Sequence, residues 1–150
     1  MADNVNKLNF NFSIEGGAPV PYVLANEDKT FLIFFIRDDR TLEEKIARFN
    51  FKHCQQLRFG SPNEDLLSSH YLYKQGLESY SIFEVRDSSW IDELKTTLYS
   101  NSRLNVLEGY KHLVFCFHDS TFECICKEYQ VDILDLSMPE IIDDTVVKLK

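Results

Sequence analysis

The segment from Lys111 to Cys126 holds the densest set of chemically reactive side chains in the 150-residue sequence. Cys116, His118 and Glu123 are the residue types that serve as nucleophile, general base and orienting carboxylate in cysteine-dependent catalysis. If the segment is a hairpin that turns at residues 119–120, all three side chains lie on one face of it. One hypothesis for function is therefore an enzyme or small-ligand site on the face formed by residues 112–123.

The same hairpin also fits a strand pair without catalytic chemistry. A two-residue turn at Asp119 and Ser120 pairs Cys116 with Glu123, and a four-residue turn keeps the same face assignments. The face opposite Cys116, His118 and Glu123 is predicted to be core. The face that carries these three residues is predicted to be a mixed polar and apolar outer surface, with His118 and Asp119 at the turn. The core face comprises Leu113, Phe115, Phe117, Phe122, Cys124 and Cys126.

No metal site and no cofactor are predicted. Cys124 and Cys126, together with His112 and His118, match zinc ligands by residue type. The hairpin places the two cysteines on the face opposite the two histidines, so one tetrahedral ion cannot reach all four. His53 and His70 are isolated in the sequence and are more typical of satisfied or exposed histidines.

A cluster of tyrosines is the candidate interaction surface. Tyr71 and Tyr73 lie in residues 64–79, for which the sequence predicts a short helical turn followed by a loop around Gly76, and Tyr80 begins the strand predicted at 80–85. Tyrosine is common in protein interfaces because it is large, rigid and amphipathic. The alternative is that these side chains cover the core from a long loop. The predicted binding residues are Tyr71, Tyr73, Tyr80, His118 and Asp119.

The elements that would position these residues follow from hydropathy patterns. Alternation predicts a half-buried strand over residues 7–14, and continuous apolar residues predict a central strand over 30–36. Thr41 to Glu44 has the form of a capping box, which predicts a short helix there, followed by a strand near 52–59. Further strands are predicted at 20–25, 80–85, 111–118, 121–127 and 130–136, and helices at 89–99 and after Pro139.

These elements predict one α+β domain spanning residues 1–150. Consecutive strands with few helices between them favour a mainly antiparallel sheet of six or seven strands, with two or three helices packed on one side. No pattern predicts an oligomeric state.

The charge distribution indicates the kind of partner. The chain has a net charge of −8, and residues 76–150, with 7 Lys/Arg and 14 Asp/Glu, contribute −7 of it. That balance opposes binding to nucleic acid or to an anionic membrane, and it would steer a basic protein toward the second half. The alternative is that the charge simply keeps the chain soluble.

The cysteines and the N-terminus predict a cytoplasmic location. Four cysteines in a chain of this size are expected to be free thiols in a reducing compartment. Residues 1–4 lack the basic stretch followed by apolar residues that begins a signal peptide, so no secretory signal is expected, and no apolar run reaches the length of a membrane span.

Two stretches resemble small uncharacterised bacterial proteins. The first runs from His70-Tyr-Leu-Tyr to Trp90-Ile91, and the second contains Phe-His-Asp-Ser-Thr-Phe-Glu-Cys at residues 117–124. The resemblance covers residues 55–128 and implies a bacterial, single-domain protein, without implying an activity.

The sequence therefore favours a non-enzymatic protein-binding module with a basic protein partner. An inhibitor, or an immunity protein encoded beside a toxin, is a typical small acidic example. The alternative is a small-ligand binder or cysteine-dependent enzyme that uses Cys116, His118 and Glu123.

Overall fold

The computed structural model describes residues 2–97 and 106–150 as a two-sheet sandwich with helical segments on both outer faces. The strands are β1 (Asn4–Lys7), β2 (Phe12–Ile14), β3 (Tyr22–Ala25), β4 (Thr30–Asp38), β5 (Glu44–Lys52), β6 (Gln56–Gly60), β7 (Ser81–Arg86), β8 (Lys111–Cys116), β9 (Thr121–Cys126) and β10 (Glu128–Leu134). The helices are α1 (Ser89–Thr97) and α2 (Met138–Lys148), with 3₁₀ helices at Glu64–Ser69 and Tyr73–Gln75.

Among the described residues, all strand pairs are antiparallel, and they form two sheets of five strands. Sheet A has the order β1-β7-β8-β9-β6. Sheet B has the order β10-β5-β4-β2. β3 also pairs with β4, on the same side as β2 but at the opposite end of the strand. The predicted α+β class with antiparallel pairing is confirmed, but the prediction of six or seven strands in one sheet is wrong.

The space between the sheets is filled largely by phenylalanine. Phe49 of sheet B meets Phe115 of sheet A edge to face, with 5.0 Å between ring centroids, a geometry that aromatic pairs favour. The predicted core face of the 111–126 hairpin is confirmed, since all six of its side chains are buried in this core. The sheet B side chains facing them are Phe12, Ile14, Leu32, Phe34, Ile36, Ala47, Phe49 and Phe51.

Helical segments cover both outer faces, whereas the sequence predicted helices on one side. Trp90 and Leu94 of α1 pack on Ile125 of sheet A, beside the segment of residues 64–77, here named the covering segment. On sheet B, Met138 and Ile141 of α2 pack on Ile33 and Ile46. A second sheet buries the inner faces, so each sheet needs its own outer cover. Within the described parts of the chain, no helix is both long enough and apolar enough to cross a membrane.

The short helix predicted after Thr41 is wrong, because this region is a hairpin leading into β5. The Asp38 carboxylate accepts hydrogen bonds from the backbone N–H groups of Arg40 and Thr41, which closes a tight turn in place of a helix cap. Residues 44–51 then pair with residues 30–37 of β4. Burial of Phe49 and Phe51 between the sheets outweighs the local capping signal.

The strand predicted over residues 7–14 is divided between the two sheets. β1 pairs with β7 in sheet A, and β2 pairs with β4 in sheet B. The alternation nevertheless assigns the buried side correctly, since Phe12 and Ile14 are buried and Leu8 and Phe10 pack against the same core. The chain therefore crosses the sandwich edge within one alternating stretch.

Candidate functional site

The candidate catalytic residues lie on a hairpin whose strand register is shifted by two positions from the register that a two-residue turn would give. Cys116 pairs with Thr121, and Glu123 pairs with Val114. A four-residue turn is closed by a 2.9 Å hydrogen bond from the Phe117 N–H to the Ser120 carbonyl. The pairing of Cys116 with Glu123 is wrong, while the face assignments hold, as expected for a turn two residues longer.

Glu123 lies at the centre of a buried polar network. Its Oε1 atom is 2.9 Å from Nε2 of His112 and 2.8 Å from the hydroxyl of Tyr71. Its Oε2 atom is 2.9 Å from Nε2 of His70. Glu123 is 4% exposed, and the two histidines are also buried. The face predicted to be a mixed outer surface is thus buried beneath the covering segment and α1.

The backbone assigns the proton of His70. Nδ1 of His70 accepts a hydrogen bond from the Leu72 N–H at 3.1 Å, so the ring donates through Nε2 to Glu123. Tyr71 donates its hydroxyl proton to the same carboxylate. Burial opposes the charge of Glu123, but the hydrogen bonds from His112 and His70 outweigh it and lower the pKa of this carboxyl to about 2. The network therefore holds an ionised carboxylate surrounded by donors.

His112 connects the carboxylate to the start of α1. Its Nδ1 atom is 2.8 Å from Oγ of Ser88, and this Oγ accepts a hydrogen bond from the Ile91 N–H at 3.2 Å and so caps the helix. Serine, histidine and carboxylate occur here in the order of a hydrolytic triad. However, Ser88 is 4% exposed and its Oγ serves the helix cap. The geometry indicates that Glu123 anchors α1 and the covering segment to sheet A.

Replacing Ser88 with alanine is expected to destabilise the fold by about 1–2 kcal/mol, because the α1 cap and the His112 contact are lost together. Urea denaturation of Ser88→Ala would measure this change. Thr96→Ala is the matched control, since its hydroxyl bonds only to a carbonyl within the exposed part of α1. Equal stability of the two variants would contradict the anchoring role.

Cys116 has the properties of a core thiol. It has no exposed surface and packs with Leu67, Leu72 and Val114. Burial, reinforced by the negative charge of Glu123, raises the pKa of the Cys116 thiol to about 12. A thiol nucleophile needs a lowered pKa and access to substrate, so these properties weigh against the catalytic hypothesis.

Alkylation with iodoacetamide near neutral pH is expected to modify Cys54 first. A hydrogen bond from the Cys124 thiol lowers the pKa of Cys54, against the effect of burial, and Cys54 is the partly exposed cysteine of the four. Peptide mass mapping over time would give the order of labelling. Labelling of Cys116 before Cys54 would instead indicate an accessible, activated Cys116.

The remaining predicted site residues are divided between two places. Nδ1 of His118 lies 2.8 Å from the Tyr80 hydroxyl and 2.9 Å from Oε1 of Glu64, while Asp119 is exposed beside it. Tyr71 belongs to the Glu123 network, and Tyr73 is 42% exposed. His118 and Asp119 therefore lie with Tyr80, whereas Glu123 lies with Tyr71.

An acidic face is formed by β10, the connection after it, and α2. From residue 128 to residue 147 the chain carries six carboxylates and no lysine, arginine or histidine. All six of these residues are exposed, as is Leu136 (53%) in the connection between β10 and α2. The acidic face comprises Glu128, Asp132, Asp135, Glu140, Asp143 and Asp144, together with Leu136.

Arg48 of β5 holds the two halves of the acidic face together from beneath. Its Nη1 atom is 2.6 Å from Asp144 Oδ2 on α2, and its Nη2 atom is 3.4 Å from Asp132 Oδ2 on β10. The hydrogen bond from Arg48 lowers the pKa of the Asp144 carboxyl. Because the Arg48 side chain is only 7% exposed, its charge is directed at these two carboxylates while the others remain in solvent.

The buried partners of Glu123 do not all follow from the sequence pattern. His112 lies on the same hairpin face as Glu123, so the strand pattern places these two side chains near each other. His70 is 53 residues away along the chain and reaches Glu123 through the 3₁₀ covering segment. No group of three or more ligand-type side chains is arranged around a common point for a metal ion in residues 2–97 and 106–150.

Comparison of the chain with protein-family models, with curated proteins and with solved structures gives no match.

Proposed function

We propose that the chain is a protein-binding domain that recognises a basic partner through the acidic face, in the manner of an inhibitor or immunity protein. The observation that carries the proposal is the run of six exposed carboxylates over residues 128–147 without an intervening cation. A surface of one sign raises the association rate of an oppositely charged protein and disfavours others.

The composition of the acidic face also suits a protein contact better than solubility alone. Leu136 is an exposed apolar side chain that follows Asp135 in the connection to α2, and Ile133 is an exposed apolar side chain on the other face of β10. Protein interfaces combine an apolar centre with a polar rim. Four of the carboxylates, those of Glu128, Asp135, Glu140 and Asp143, make no ion pair with any described residue and are available to a partner.

Affinity capture from the host lysate with three forms of the protein tests the proposal. The first is the wild type, and the second carries Asp135→Asn, Glu140→Gln and Asp143→Asn in the acidic face. The third carries Glu27→Gln, Glu43→Gln and Glu93→Gln, which removes the same charge from exposed positions elsewhere. Capture is compared at about 0.05 M and about 0.5 M salt. At the higher concentration the screening length is well under about 10 Å, so charge attraction is weak.

The expected result is one stoichiometric basic partner, held by the wild type and the third form at low salt. Its affinity is expected to fall by about tenfold or more for the acidic-face form, and also at high salt. A partner that all three forms hold equally at both salts would contradict the proposal.

A cytoplasmic location belongs to the same proposal. All four cysteines are free thiols, and three of them are buried. Free thiols are typical of reducing compartments.

A further inference from the structure

Resting on the proposed function, we infer that the bound part of the partner is an extended segment that pairs antiparallel with β10. Basic and apolar side chains would alternate along this segment. β10 is the last strand of sheet B, and its second side has no strand partner among the described residues. An open strand edge offers its backbone hydrogen bonds to an added strand.

The hydrogen-bonding pattern of sheet B shows which β10 residues face the open side. In an antiparallel sheet the N–H and C=O of one residue point to the same neighbour, and successive residues alternate. Phe35 of β4 donates to the Pro19 carbonyl and accepts from the Glu15 N–H, so odd-numbered residues of β4 face β2 and β3. Its even-numbered residues therefore face β5, as the hydrogen bond from the Asp38 N–H to the Glu43 carbonyl also shows.

The same alternation passes through β5 to β10. Even-numbered β4 residues pair with odd-numbered β5 residues, so even-numbered β5 residues such as Arg48 face β10. Arg48 pairs with Asp132, and the even-numbered residues of β10 are therefore bonded to β5. Tyr129, Val131 and Ile133 direct both backbone groups to the open side.

The two faces of this edge differ in chemistry. Side chains of Tyr129 and Val131 lie on the inner side, against the sandwich core, and Ile133 continues that row in an exposed position. Glu128, Gln130 and Asp132 lie on the opposite side, which α2 and its carboxylates flank. Directly paired residues place their side chains on the same face. A segment paired with β10 would therefore place its apolar side chains beside Tyr129, Val131 and Ile133. Its basic side chains would lie beside Glu128, Gln130 and Asp132.

A capped octapeptide of alternating lysine and valine is the probe for this inference. The control peptide has four lysines followed by four valines, so it has the same charge and composition without the alternation. Amide hydrogen exchange of the wild-type protein is followed by NMR with each peptide. The alternating peptide is expected to slow exchange at Tyr129, Val131 and Ile133 by about tenfold or more, and the control peptide to leave these amides unchanged.

A pair of variants at Ile133 tests the backbone contact separately from the side chain. Ile133→Pro removes an N–H that faces the open side, while the ladder to β5 stays intact. Ile133→Ala removes the side chain but keeps the N–H. Binding of the alternating peptide is expected to weaken about tenfold in the proline variant and much less in the alanine variant. If the proline variant does not fold, the exchange measurement on the wild type still decides.

The outcomes separate this inference from the proposed function. Salt-sensitive binding of the alternating peptide without protection of the three amides would overturn strand pairing and leave the acidic face as a binding surface. Failure of that peptide to bind would also overturn the inference, while the capture experiment decides the proposed function independently. Protection of the same amides without peptide, together with a dimeric mass, would assign the edge to a second copy of the chain and overturn the inference.

Discussion

Glu123→Gln is expected to lower the free energy of unfolding by about 3–5 kcal/mol, because three buried hydrogen-bond donors lose an ionised acceptor. The carboxylate accepts hydrogen bonds on both oxygens, whereas glutamine presents an NH₂ group on one side. If that group faces His70, two donors meet, because the Leu72 N–H occupies the other ring nitrogen of His70. If it faces His112 and Tyr71, both lose their acceptor.

Urea denaturation followed by circular dichroism would measure this loss. Glu84→Gln is the matched control, because Glu84 lies on the adjacent part of sheet A with two ion pairs of 3.7 and 3.9 Å. Its loss is expected to be under about 1 kcal/mol, as for other surface ion pairs. A loss of similar size in both variants would show that Glu123 does not hold the covering segment and α1 in place.

Acidification is expected to remove about 3 kcal/mol of stability through Glu123 alone. Folding lowers the pKa of this carboxyl from 4.5 to about 2. A group with a lowered pKa in the folded state stabilises the fold above the unfolded pKa, and this contribution disappears as the pH falls toward the folded pKa. The stability due to Glu123 is thus complete above about pH 5 and declines between about pH 4.5 and pH 2.

The free energy of unfolding of the wild type and of Glu123→Gln, measured from about pH 6 to about pH 2.5, isolates this effect. Other carboxylates titrate in both proteins, so the difference between the two curves reports on position 123. That difference is expected to shrink as the pH falls through this window. Parallel curves would contradict an ionised Glu123 in the folded state.

The fold was predictable where burial and local pattern agree. The apolar run in β4 and the alternating hairpin of β8 and β9 identify their buried faces from the sequence alone. At residues 41–44 the capping pattern and the tertiary structure disagree, and pairing of β5 with β4 prevails. The division of residues 7–14 between two sheets was not predictable, because alternation shows which side is buried but not which strand lies alongside.

The sites were predictable to the extent that their residues are neighbours along a strand. Glu123 and His112 share a hairpin face, while His70 reaches them only through the fold of the covering segment. The acidic face had a signal in the charge excess of the second half. Its open edge depends on β10 being the last strand of sheet B, which is a property of topology rather than of sequence pattern.

Hydrogen-exchange mapping of the captured complex would locate the bound partner on this chain. If the partner binds the acidic face, exchange is expected to slow over residues 128–147 and to stay unchanged in the covering segment. Slowed exchange around Tyr71 and Tyr73, with residues 128–147 unchanged, would contradict binding at the acidic face and place the interface at the tyrosines.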